Sequence, residues 1–248
     1  MRILAFRAAV LLGLLAIWQL VAAGRNPVLY VAPSAIPGAL VRVLSVQDLP
    51  PLPEHAWLTL REIVAAYALA VSAGLWLGFL LGLQKSLGRI YEPILAALYA
   101  IPSVVWYPSL MLFFGLGPAS KIAFGFLLGF FPVALSVLAG IRQVDRHLVT
   151  VAVSMGAGRG AIFLKVILPG MASTLVGGLR AGLALSVVGV LVGEILGSRS
   201  GIGYLINYAY GLLMTPEYAA LVVLVGAAVL AIDGAAGLFE ARVRRWAG

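Results

Sequence analysis

The chain of 248 residues is 62% hydrophobic and 10% charged, with a mean hydropathy of +1.07. So apolar a composition excludes a water-soluble domain of this length and indicates a polytopic membrane protein. The net charge of +8 sits in short loops between apolar runs, as orientation in a bilayer requires, and does not imply nucleic-acid binding; with no cysteine, disulfides and thiol chemistry are excluded as well.

A helical span takes about 20 mostly apolar residues, and six runs qualify: Ile3–Ala23, Trp57–Leu83, Tyr91–Phe114, Ser120–Gly140, Ser173–Leu196 and Tyr218–Leu238. The first follows an Arg-containing start. It has no clear small-residue cleavage site followed by a soluble domain, so it reads as a retained helix rather than a signal peptide. Residues 24–55 hold Pro27, Pro33, Pro37, Pro50, Pro51 and Pro53, a density that opposes a regular helix and leaves room for one short surface helix near Pro37–Val46. The second run carries Gly74, Gly78 and Gly82, a tandem GxxxG. Small residues at that spacing let helix backbones approach closely in lipid, so helix packing explains them better than a substrate role.

The third run contains Pro102 and Pro108. Each removes a backbone hydrogen bond, which predicts a bent or locally unwound helix. In a bilayer the freed carbonyls are tolerated only against protein or a water-filled cavity. Ile101–Pro108, with Pro102, Ser103, Trp106, Tyr107 and Pro108, is therefore the candidate lining of a translocation pathway, a packing kink being the alternative. After the fourth run comes Thr150–Pro169, the only long segment outside the spans with both charge and a patterned apolar face. Val151, Met155, Ile162, Phe163 and Val166 recur at roughly helical spacing, with Arg159 and Lys165 between them. Gly156-Ala157-Gly158 predicts a break between two short helices, and Pro169 fits the first turn of the next helix. Such an elbow either lies on the membrane surface or docks a partner. The fifth run holds Gly182, Gly189, Gly193 and Glu194. The loop Gly197–Pro216 after it has short apolar groups that dip back into protein, and the tail ends on Arg242, Arg244 and Arg245.

With the N-terminus inside, eleven Lys and Arg fall on inside segments, among them Lys85, Arg89, Arg142, Arg146, Arg159 and Lys165, against four outside, Arg25, Arg42, Lys121 and Arg199. Both termini and the elbow are then cytoplasmic. Charges within spans are usually paired or functional. Glu194 and Arg61 fall toward the outside, Asp233 and Arg180 toward the inside, so two structural ion pairs are expected, Glu194 with Arg61 and Asp233 with Arg180. No acid sits clearly at a span's middle, which argues against a proton-coupled carrier. There is no GxxxxGK[ST] and no HExxH, and in Gly197–Gly201 an arginine, Arg199, occupies the nucleophile place of GxSxG. No catalytic residue or metal ligand set is assigned. The residues describe a pathway-forming subunit without an energy source of its own, with a stand-alone channel or secondary transporter as the alternative.

Gly156, nine residues, Val166, one residue and Leu168-Pro169 resemble the EAA signature of ABC importer permeases, with Thr150-Val151-Ala152 where Glu-Ala-Ala would stand and Val166 for isoleucine. Ile101-Pro102-Ser103, Pro108-Ser109-Leu110, Phe114-Gly115-Leu116-Gly117, Gly178-Leu179-Arg180, Gly193-Glu194 and Gly201–Ile206 are similar to the nitrate/sulfonate/taurine permease group. The resemblance implies an all-α, six-span type I ABC importer permease of the bacterial inner membrane with both termini cytoplasmic. It would be one domain, 1–248, with a family core of about 57–246 and a coupling elbow at 141–172. It implies a second permease copy, commonly identical, a cytoplasmic ATPase dimer that binds ATP and Mg, and an extracytoplasmic substrate-binding protein. By position, Gly156 and Ala157 turn the coupling helix, Ser154, Met155, Gly158, Arg159 and Ala161 lie in an ATPase groove, and Leu168-Pro169 join it to the fifth span. The cargo implied is a small organic or inorganic anion such as a sulfonate, taurine or nitrate, with selectivity supplied mostly by the binding protein.

Overall fold

The computed structural model describes residues 2–26, 28–45 and 49–247 and, within them, the side chains of all but 2–4, 239 and 243–247. Pro27, Val46 and the side chains of Arg2, Arg244 and Arg245 thus lie outside the described residues. The described chain is helical throughout and falls into two compact units, Met1–Leu58 with Glu194–Ala228 and Thr59–Gly193 with Val229–Gly248.

The first unit contains α1 (Arg2–Ala23), α2 (Ile36–Leu44), the start of α3 (Leu52–Leu83), α10 (Ile202–Gly211) and the start of α11 (Thr215–Ala247). Gln19 at the end of α1 donates to Ser34 Oγ at 3.1 Å and accepts the Ser34 N–H at 3.2 Å. The short helix expected near Pro37–Val46 is α2, and it is half-interior rather than superficial: Ala39 and Val43 pack in one core with Leu205, Ala209, Ala220 and Leu221. The loop Gly197–Pro216 dips into protein as expected, but as a helix, α10. Arg42, counted as a loop cation, is ion-paired with Glu217 at 2.6 Å.

The second unit contains the rest of α3, α4 (Lys85–Ala100), α5 (Tyr107–Phe114), α6 (Pro118–Gln143), α7 (Arg146–Ser154), α8 (Arg159–Ile162), α9 (Leu168–Gly197) and the end of α11. Its centre is α6, held by close packing on two sides. On one side a methyl at Gly74 would come within 2.8 Å of Val133, and one at Gly78 within 2.6 Å of Val137. The branched residues of α6 recur every four positions, Val133, Val137 and Ile141, and fill the groove left by Gly74, Gly78 and Gly82, a ridge seated in a groove of the same period. On the other side α9 approaches through Gly182 and Gly189, where a methyl at Gly189 would meet Gly125 Cα at 2.7 Å.

Among the described residues five helices are long and apolar enough to span a membrane, and a sixth span exists if one bent pair counts as one. That pair is the third expected run. It is not one helix: α4 and the helical segment Ser103–Phe114 are bent by 85°. Ile101, ahead of a proline, takes the extended ψ of 130° that such a residue favours, and Pro102 follows outside the helix. Pro108 does not break anything. It sits in the first turn of α5, where a missing N–H is harmless.

Candidate functional site: an exposed elbow and a bent span

α6 ends where Val144 turns extended, and Asp145 caps α7 by accepting the His147 N–H at 2.8 Å. α7 then runs one face inward through Ala152, which is 6% exposed. At its end Gly156 takes φ +80°, the Gly156 N–H bonds Val153 O at 2.9 Å and the Ala157 N–H bonds Ala152 O at 3.0 Å. These are the two bonds of a Schellman stop, and the positive φ is why glycine stands there. The break expected at Gly156-Ala157-Gly158 is thus a defined turn.

Past the turn, Arg159 opens α8, which passes into a π turn, Phe163–Ile167, and on into α9. The Leu168 N–H reaches back five residues to Phe163 O, a local widening that accommodates Pro169, which can offer no N–H to Lys165 O. So Leu168-Pro169 join elbow to span without a break. The base is anchored: Phe163 meets Phe79 edge-on at 5.4 Å, and Val149, Val166 and Ile167 pack with Val137, Val144 and Met171. The outer face is bare. Leu148, Val151 and Met155, at spacings of three and four, are 56%, 55% and 76% exposed, and Ser154, Gly156, Gly158 and Arg159 are exposed with them, Ala157 and Ala161 half-buried. Of the expected apolar positions, Val151 and Met155 face outward and Val166 inward. Thr150, in the glutamate position of the signature, returns its hydroxyl to Arg146 O at 2.9 Å.

At the bend of the third span, Ile101, Pro102, Ser103 and Trp106 line a cleft of about 290 Å³ closed by Tyr99 and Phe131. The expectation for Tyr107 is corrected. It is fully buried and its hydroxyl donates to Gly193 O at 2.6 Å, so it fastens α5 to α9 and does not line the cleft; nor does Pro108. Tyr107 follows Trp106 by one residue and therefore points away from it.

The inner ion pair forms as expected. Arg180 grips Asp233 with two bonds of 2.7 Å, and Glu240, not foreseen, accepts from the same guanidinium at 2.9 Å. Nearer the other end of α3, an ion pair not foreseen forms within the second unit. Arg61 is exposed; its neighbour Glu62 is buried and pairs with a buried Lys121 at 2.7 Å. Glu194 is fully buried too, and accepts the Gly203 N–H at 2.8 Å. Lys121 is consequently no loop cation. Among the described residues no group of His, Cys, Asp or Glu is arranged to hold a metal ion.

Residues 70–245, well over half the chain, match the sequence profile of the binding-protein-dependent transport system inner membrane component. The taurine transport system permease protein of Escherichia coli is 34% identical over 72% of this chain and 63% of its own length. The riboflavin transport system permease protein of Chloroflexus aurantiacus is 37% identical over 64% of this chain and 60% of its own. This chain thus spans less than two thirds of the length of either relative. Among solved structures, a chain of the MetNI methionine ABC transporter in an inward-facing conformation shares the fold, with a TM-score of 0.64 at 22% identity, over 83% of this chain and 96% of that one. An apolar helical bundle that carries its signature on a capped, protruding elbow and has its profile match running through both is a multi-pass inner-membrane ABC transporter permease, and the chain belongs to the family of binding-protein-dependent transport system inner membrane components, with ATP bound by a separate ATPase.

Proposed function

We propose that the chain forms the translocation pathway of an importer and takes its drive through the elbow 141–172. The observation that carries this reading is the bare apolar stripe Leu148, Val151 and Met155 on a helix whose base is packed and whose end is fixed. A short helix with apolar anchors at such spacing is the kind that lies in a groove of a partner. The partner is the ATPase dimer, seated on α7 and the turn at Gly156, with Ser154, Met155, Ala157, Gly158, Arg159 and Ala161 around the contact and Leu168-Pro169 passing its movement to α9. A rigid elbow transmits displacement where a loose loop would absorb it. A second copy of the chain completes the pathway, and an extracytoplasmic binding protein delivers cargo.

Gly156→Val tests the coupling. A β-branched residue at φ +80° strains the stop by about 1–3 kcal/mol. Uptake by the assembled transporter falls, or ATP hydrolysis continues without uptake, while the span bundle still folds. Unaltered assembly and uptake would remove the coupling role.

For cargo we propose a small anion such as a sulfonate, taurine or nitrate; the similarity to a taurine permease supports this. A planar heteroaromatic solute is the second reading, favoured by the uncharged, aromatic cleft of Tyr99, Trp106 and Phe131 and by the riboflavin relative. A ligand screen on the cognate binding protein separates them: sulfonates, taurine and nitrate against flavins and pyrimidines.

A further inference from the structure

Beside the base of the elbow, the end of α3, the start of α4, the end of α6 and the start of α7 enclose a cleft of about 670 Å³. Four cations line it: Lys85, Arg89, Arg142 and Arg146. None of its lining residues is acidic. Arg142 is paired with Glu92, and the Asp145 carboxylate at the start of α7 accepts the His147 N–H. Among the described residues Lys85, Arg89 and Arg146 have no ion-pair partner. Gln84 leaves the first turn of α4 without a side-chain cap, so the positive end of that helix adds to the same field.

The other wall is apolar. Leu81 and Leu83 close α3, Ile141 lies in the last turn of α6, and Val144, Val149 and Ile167 continue the surface. Both α3 and α6 are of membrane-spanning length and composition, so this wall begins within the spans, with Arg142 in the last turn of α6 and Lys85, Arg89 and Arg146 just beyond the ends of α3 and α6. An occupant must therefore be apolar where the hydrocarbon is and anionic at the water boundary. A soluble protein partner reaches the cations but not a wall that starts inside the bilayer.

We propose that this cleft holds the phosphodiester headgroup of an acidic phospholipid of the cytoplasmic leaflet, an acyl chain lying along Leu81, Ile141 and Val144. Arg89 and Arg146 offer planar forks that match phosphate oxygens, and Lys85 adds a point charge. Because Val149 and Thr150 of α7 and Ile167 of the π turn also line the cleft, the lipid touches the base of the elbow and steadies it. The placement in the inner leaflet rests on the cytoplasmic orientation of these turns.

The test is native mass spectrometry of the full-length chain in detergent, titrated with phosphatidylglycerol or with phosphatidylcholine of matched chains. It depends neither on orientation nor on the ATPase, so its failure is separable from failure of the coupling reading. Phosphatidylglycerol is retained in preference. Lys85→Gln, Arg89→Gln and Arg146→Gln each weaken its binding by about fivefold and leave phosphatidylcholine unchanged. The charge-keeping triple variant K85R/R89K/R146K keeps the preference, which separates lost charge from lost folding, and R159Q/K165Q, which removes two cations outside the cleft, keeps it too. Inorganic phosphate at equal concentration does not compete. An unchanged preference in the glutamine variants, equal loss in R159Q/K165Q, or displacement by phosphate would overturn the assignment.

Discussion

At Lys121 and Glu62 two opposite charges lie out of solvent 2.7 Å apart, in a chain where few charges are buried at all. Dehydrating an ion is expensive, and the opposite charge at this distance offsets part of that cost. Glu62→Gln is therefore expected to lower stability by about 3–5 kcal/mol, read as a fall in the melting temperature of the purified protein. A single variant as stable as wild type would show that the pair is hydrated. This pair was hidden from the sequence for a simple reason. Arg61 and Glu62 are at one depth, but consecutive residues point about 100° apart around a helix. Depth and sign alone do not say which faces inward. Arg180 and Asp233 were legible because no competing cation or acid stands beside either; Glu240, two turns further along α11, falls outside the apolar run that drew attention to Asp233.

Among the elements, α6 is the most closely packed on both sides. Gly74, Gly78 and Gly82 announce a close approach by their spacing, yet nothing in that spacing names the partner; the answering ridge is Val133, Val137 and Ile141. Two helical glycines in different surroundings test this packing. Gly78→Val places its side chain within 2.6 Å of Val137 and 2.9 Å of the Ala134 carbonyl, which forces α3 and α6 apart and costs about 1–3 kcal/mol. Gly177→Ala meets nothing within 4 Å and leaves stability within about 0.5 kcal/mol of wild type. Equal melting temperatures for the two variants would contradict the packing. The bend at Pro102 was legible from the backbone hydrogen bond that a proline removes. That Pro108 starts a helix was not, since two prolines six positions apart fit either two kinks or one break and one beginning. The elbow's turn was legible at Gly156, and its cap was available too: Asp145 ahead of a helical run is a start signal. The π turn before Pro169 has no sequence mark beyond the proline itself.

For the whole molecule, family membership places the energy source outside the chain, so work must enter through protein contact. In the function proposed above the elbow receives it: its inner face is packed on α3 and α6, its end is locked by a Schellman stop, and its outer face shows apolar side chains to the surroundings. The same proposal puts the change of access for cargo at the cleft at the bend of the third span, lined by Ser103 and Trp106. The most direct measurement uses the absence of native cysteine. A single Met155→Cys chain, in sealed vesicles of known orientation, is treated with a membrane-impermeant maleimide. Labelling is expected only when the cytoplasmic face is accessible, with protection from labelling once the ATPase dimer is bound. Labelling from the outer face, or a thiol equally reactive with and without the ATPase, would contradict it.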